Sequence, residues 1–166
     1  MKIILGLDPG LASTGYGIIA GEQGRIRHLA HGVIRTDSGL KHGRRLAMIH
    51  EELSELCKRW VPTEAAVEKL FFARNAISAL AVAEARGVTL CAVEQHGIAL
   101  YEYPPQVIKQ AVVGEGRADK RQVQELVRFL LALAEIPKPD HAADALAAAI
   151  CRYHSSLGAH ATDVRL

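Results

Sequence analysis

The chain has 166 residues, 49% of them hydrophobic and 23% charged. This excludes a disordered or collagen-like chain and fits a single globular domain. Lys and Arg number 20 against 18 Asp and Glu, a formal charge of +2, so overall charge gives no reason to propose a nucleic-acid partner. Cys57, Cys91 and Cys151 are far apart and include no C-x-x-C pair. That spacing excludes a zinc ribbon or disulfide framework and reads as buried free thiols in a reducing cytosol. The N-terminal apolar run is too short for a signal peptide, and no apolar stretch reaches the ~18–20 residues of a membrane span. The expectation is a soluble, cytoplasmic protein without a membrane partner.

Residues 3–8 are a short apolar run suited to a strand buried on both faces, ended by Pro9-Gly10. Residues 15–20 and 25–36 read as two further strands, with Gly21 and Gly24 at the turn, giving an antiparallel meander. Residues 40–60 carry Leu46, Ile49, Leu53, Leu56 and Trp60 at helical steps, with Pro62 just beyond. Residues 63–72 read as a fourth strand. Asn75 is expected to cap an Ala-rich helix running to about Gln95. Its small apolar residues lie nearly all round, which suits burial on two sides, the second against a partner subunit.

Residues 98–103 form a short fifth strand, and Pro104-Pro105 opens a helix. A glycine-bearing loop, 114–119, leads to a helix over 120–134. Pro137-Lys138-Pro139 breaks the chain, and Asp140 is expected to N-cap a last helix over 141–155. The pattern predicts one α/β domain over 1–155, a mixed five-stranded sheet flanked by helices, with 156–166 as a disordered tail.

Four residues stand out chemically. Asp8 closes the most hydrophobic strand, on the face shared by Ile4 and Gly6. Glu68 lies inside the fourth strand, where Glu is uncommon. His141 and Asp144 share a face at the start of the last helix. Each has a plain alternative: a turn acid before Pro9, an edge-strand acid facing water, a surface pair complementing the helix dipole. Taken together, three carboxylates and an imidazole suit two divalent cations about 4 Å apart. Oxygen ligands favour Mg²⁺ or Mn²⁺, and the matching chemistry is attack of activated water on a phosphodiester.

The chain resembles the RuvC family of Holliday junction resolvases, which have an RNase H-like fold. The matching runs are Gly6-Leu7-Asp8-Pro9-Gly10 with Thr14-Gly15-Tyr16-Gly17, then Glu68 to Asn75 (EKLFFARN) and Ala85-Arg86-Gly87. They continue with Tyr103-Pro104-Pro105, Val107, Lys109-Gln110 and Val112-Val113-Gly114, and end with Asp140 to Ala147 (DHAADALA). They fall in the family's order over residues 3–154. The resemblance implies a homodimer that cuts four-way junction DNA by paired symmetric nicks. It also implies two Mg²⁺ per subunit (Mn²⁺ supporting activity too) and cooperation with the RuvA–RuvB branch-migration complex. Asp8, Glu68, His141 and Asp144 fall on the family's catalytic and metal-binding positions. Many members carry Asp where His141 stands, so His141 is read either as a ligand or as a proton donor to the leaving oxygen.

For DNA binding, Phe71 matches an aromatic that stacks at the crossover, and Phe72, pointing to the other side, is assigned to the core. Lys109, Arg117, Lys120 and Arg121 surround the 114–119 loop, and Lys120 and Arg121 sit at a helix start, which favours phosphate. Arg74 adds a further phosphate contact. Between Arg25 and Arg45 six basic residues face one acid, Asp37, and are read as ordinary surface. Three other classes are weighed. One is an RNA-processing nuclease of the YqgF type. Another is an actin-like ATPase or sugar kinase, for whose second domain 166 residues leave no room. The third is a junction-binding protein without catalysis, against which the complete acidic set argues.

Overall fold

The computed structural model describes residues 1–70, 76–158 and 164–165. Three strands open the chain, β1 (Lys2–Asp8), β2 (Ser13–Glu22) and β3 (Arg25–Arg35). They are followed by α1 (His42–Trp60), β4 (Glu64–Glu68), α2 (Ala76–Gln95) and β5 (Ala99–Tyr103). The chain continues through α3 (Pro105–Val113), α4 (Lys120–Leu130), α5 (Asp140–Leu157) and the two-residue β6 (Val164–Arg165). The sheet order is β3-β2-β1-β4-β5-β6. The first three strands form the predicted antiparallel meander, while β4 runs parallel to both β1 and β5. This is the RNase H-like α/β arrangement, a mixed sheet of five main strands, with β6 adding a short antiparallel edge to β5.

Strand alternation divides the core in two. Leu5 and Leu7 of β1 and Ala65 and Val67 of β4 pack with Ile49 and Leu53 of α1 and Ala85 and Val93 of α2. Ile4 and Ala66 point the other way, into a cluster with Leu146 and Ile150 of α5 and Ile108 and Val127 of α3 and α4. Burying each large side chain contributes roughly 1.5–3 kcal/mol. Asp8 and Glu68 share the parity of Ile4 and Ala66, so the strand period aims both acids at the α5 face.

Close approach of α5 depends on small residues on both sides. Ala142, Ala143, Ala145, Ala147, Ala148 and Ala149 are all buried. Opposite them, a Cβ on Gly6 would stand 1.8 Å from the Ala145 carbonyl oxygen, and one on Gly15 would stand 2.0 Å from that of His141. Glycine at these two positions lets the start of α5 lie directly on β1 and β2.

Several boundaries differ from the sequence pattern. β4 ends at Glu68 and not near residue 72, so Glu68 is terminal, and because β4 lies between β1 and β5 it is not on an edge strand. α4 stops at Leu130, because Ala132 turns into the left-handed region (φ 50°) and the Leu133 N–H returns to the Arg128 carbonyl. Leu131 still packs in the core, which is why the apolar period runs on past the helix. Pro139 takes the N-cap position of α5, making Asp140 the first helical residue without a capping hydrogen bond from its side chain. The predicted Asn75 cap lies outside the described residues. Cys57 and Cys151 are buried as expected, but Cys91 is exposed, since it falls on the outer side of α2. Among the described residues, no helix is long and apolar enough to cross a membrane.

Candidate active site

Asp8 ends β1 and Glu68 ends β4, two parallel neighbours in which Gly6 pairs with Ala66 and Leu7 with Val67. The next step of that register sets the two acids side by side at one end of the sheet. The start of α5, held down at Gly15, brings His141 and Asp144 over the same point. His141 Nδ1 lies 2.6 Å from Asp8 Oδ2. An ionised carboxylate can only accept, so Nδ1 carries the proton and donates it, which leaves Nε2 available.

Beside these groups is a cleft of about 330 Å³, lined by Glu68 and Asp144 together with Lys109 of α3 and Lys120 of α4, over Ile108 and Val123. Burial pushes the Glu68 carboxyl above its ordinary range, and the charges of Asp8 and Asp144 add to the rise against the pull of Lys109. Burial likewise raises Asp144, with Asp8 and Asp140 adding and Lys120 opposing. Both acids therefore pay an electrostatic cost for ionising so close together.

The cations are distributed differently from the sequence reading. Lys120 does not stand free at a helix N-terminus. Its Nζ lies 3.0 Å from Asp140 Oδ2 and 3.4 Å from Asp144 Oδ2. Partial loss of water would lower its pKa, but the hydrogen bond to Asp140 and the two nearby carboxylate charges raise it. The N-terminus of α4 is itself occupied. Asp119 accepts from the Gln122 N–H while the Gln122 side chain accepts from the Asp119 N–H, a capping box that takes up donors a phosphate would need. Arg117 and Arg121 are exposed nearby, and neither lines the cleft. Phe71, Phe72 and Arg74 lie outside the described residues. Sequence reasoning missed Asp140 as a partner of Lys120. The available signal was its four-residue spacing from Asp144, which places both on one helix face.

Two of the three carboxylates already have partners, Asp8 with His141 and Asp144 with Lys120, which Asp140 shares. Accordingly, among the described residues no three His, Cys, Asp or Glu side chains converge as ligands to a metal ion. The donor set nevertheless suits one. Three carboxylates and an imidazole match a hard divalent cation, and its charge would relieve the repulsion that raises Glu68 and Asp144.

A family model described as "Crossover junction endodeoxyribonuclease RuvC" matches residues 4–152. The crossover junction endodeoxyribonuclease RuvC of Treponema denticola is 52% identical over 149 residues, covering 90% of this chain and 84% of the relative. That of Heliobacterium modesticaldum is 52% identical over 153 residues, covering 92% and 94%. The structure of Thermus thermophilus RuvC in complex with Holliday junction substrate superposes with a TM-score of 0.89 at 32% identity, covering 100% of both chains. These matches do not favour the RNA-processing alternative. With a family model spanning nearly the whole fold and half-identical relatives over the same span, this chain belongs to the RuvC family of crossover junction endodeoxyribonucleases.

Proposed function

We propose that this chain acts as a homodimer that resolves four-way (Holliday) DNA junctions by paired symmetric nicks, one strand per subunit, in recombination and repair. The observation that carries the reading is the meeting of Asp8 and Glu68 at adjacent parallel strand ends with His141 and Asp144 at the start of α5, beside a cleft holding two lysines. The family is metal-dependent. Here Asp8, Glu68, Asp144 and His141 would hold the ions, two Mg²⁺ per subunit, with Mn²⁺ able to substitute. Bound there, the cations supply the Lewis-acid charge that makes a water nucleophilic and offsets charge on the phosphodiester.

The protein's own groups do the rest. Asp8 accepts the Nδ1 proton of His141 and so orients the imidazole, leaving Nε2 to ligate through its lone pair or, in the doubly protonated imidazolium form, to protonate the leaving oxygen. Lys109 and Lys120 line the cleft and draw the scissile phosphate toward the carboxylates. Arg117, Arg121 and Arg74 add phosphate contacts, and Phe71 stacks on an unpaired base at the crossover. Dimerisation uses α2. Its inner side supplies Ala85, Ala92 and Val93 to the core. Its outer side exposes Leu80, Ala83, Gly87 and Cys91 at three- and four-residue steps, a flat seam for a second helix. The family resemblance adds the RuvA–RuvB complex as the partner that moves the junction, in the bacterial cytoplasm.

The test is cleavage of a synthetic four-way junction in Mg²⁺ or Mn²⁺ by the wild type and by Asp8→Asn. Symmetric paired nicks that vanish in the variant support the reading. Binding without cutting by the wild type under either metal refutes it.

A further inference from the structure

Asp140 belongs neither to the acidic four nor to the basic set, yet it makes the shorter of the two contacts to Lys120. Lys120 Nζ is 3.0 Å from Asp140 Oδ2 and 3.4 Å from Asp144 Oδ2. The other oxygen of Asp140 is also engaged, accepting from Gln124 Nε2 at 3.0 Å. Two residues four apart on α4, Lys120 and Gln124, thus face two residues four apart on α5, Asp140 and Asp144. With both oxygens used, the Asp140 carboxylate is held in one orientation in spite of its exposed position.

The charge arithmetic gives this square a purpose. One ammonium lies between two carboxylates, and only Asp144 is needed by a divalent cation. If Asp144 were the sole anion beside it, Lys120 would occupy that carboxylate and compete with the metal. A second carboxylate, fixed by Gln124, gives the ammonium somewhere else to stay.

We propose that Asp140 is a positioning residue that anchors Lys120, releasing Asp144 to a divalent cation while keeping the ammonium at the mouth of the cleft. This rests on the metal-site reading above. As the ion arrives at Asp144, Lys120 shifts onto Asp140 and keeps its charge facing the incoming phosphate. No bond is made or broken, and only the ion pair changes partner.

The test is Mn²⁺ binding to the full chain, followed by electron paramagnetic resonance and calorimetry without DNA. The comparison covers wild type, D140N, D140E, K120M and the D140N/K120M double variant. D140N is expected to bind Mn²⁺ about two- to fivefold more weakly than wild type, the range of an exposed ion pair. In the K120M background the same change should have a clearly smaller effect, because no ammonium remains to fall back on Asp144. D140E, which keeps the carboxylate, should recover most of the affinity. An equal loss with and without Lys120 would reduce Asp140 to a general negative charge and overturn the proposal, as would no loss at all. Wild-type Mn²⁺ binding that survives both Asp8→Asn and Asp144→Asn would instead overturn the metal-site reading, and this inference with it.

Discussion

His141 donates from Nδ1 to Asp8 Oδ2 across 2.6 Å, joining the first turn of α5 to the last residue of β1. The contact ties an imidazole to a carboxylate at the point where a helix meets a strand end, so each group orients the other. His141→Ala should therefore slow junction cleavage by about 10²–10⁴-fold, the usual worth of a positioned acid–base group. His141→Asp separates the two roles, since a carboxylate can ligate but is a poor proton donor at neutral pH. Near-wild-type cleavage by His141→Asp would assign ligation, and a loss as deep as that of the Ala variant would assign proton donation.

The raised carboxyls of Glu68 and Asp144 predict a cost in stability. Each favours its protonated form in the folded state, because burial and neighbouring carboxylates penalise the charge. The folded protein thus holds a proton that the unfolded chain releases, and stability falls as pH rises from the ordinary carboxylate range through the raised values. Glu68→Gln should melt above the wild type at neutral pH, and the advantage should disappear at acid pH, where Glu68 is protonated in both states. Added Mg²⁺ should raise the wild-type melting temperature more than that of the variant. Thermal melts across pH, with and without Mg²⁺, check both.

Gly15→Ala would place a methyl group 2.0 Å from the His141 carbonyl oxygen, a backbone atom at the start of α5 that cannot rotate away. The expected cost is roughly 1–3 kcal/mol in chemical denaturation, as for other overpacked positions. Cleavage should be lost as His141 and Asp144 lift from Asp8. Gly43→Ala in α1 is the control, because nothing lies within 4 Å of its Cβ position. It should leave cleavage intact and gain up to about 1 kcal/mol from helix propensity.

Lys109 lines the cleft and acts on Glu68 through its charge. As a phosphate contact, Lys109→Ala should weaken junction binding and reduce the salt slope of log K by about one. Binding measured over a range of salt concentrations checks this, and an unchanged slope would give Lys109 a role confined to the acids.

Thiol labelling tests the α2 seam. Burial pushes the Cys57 thiol up to about 11, and Cys151 is buried, whereas Cys91 is exposed in the single chain. A small thiol reagent should label Cys91 alone in the dilute folded protein and all three thiols after unfolding. If α2 pairs with a partner through the face carrying Cys91, its labelling rate should fall as protein concentration rises. A rate independent of concentration, with a dimer seen by sedimentation, would move the interface elsewhere.

Much of this site was legible from local pattern. Asp8 could be placed because strand alternation aims it with Gly6 and Ile4, and Asp144 because it sits one helical turn from His141 on an alanine-rich helix. The Asp140–Lys120 pair was not legible, because it depends on how α4 packs against α5, which no local period encodes. Asp140 looked like a cap because an acid after Pro139 satisfies the same composition rule in either register. The end of α4 was misplaced for a related reason. Leu131 is buried after the chain has left the helix, so the hydrophobic signal outlasts the hydrogen-bond ladder. Exposure of Cys91 was hidden because an all-apolar helix does not announce which side faces the sheet.

The seating of α5 on glycine-lined strands has a mechanical consequence. Asp8, Glu68, His141 and Asp144 all stand on regular elements packed into the core, and none is carried by a loop able to swing. The acidic centre is therefore held by the packed core, and on the proposed function a substrate that bends readily would fit it more easily. Intact duplex resists that deformation, whereas a branch point already has strands turned aside. On the proposed function, such a centre is better suited to a branch point than to intact duplex.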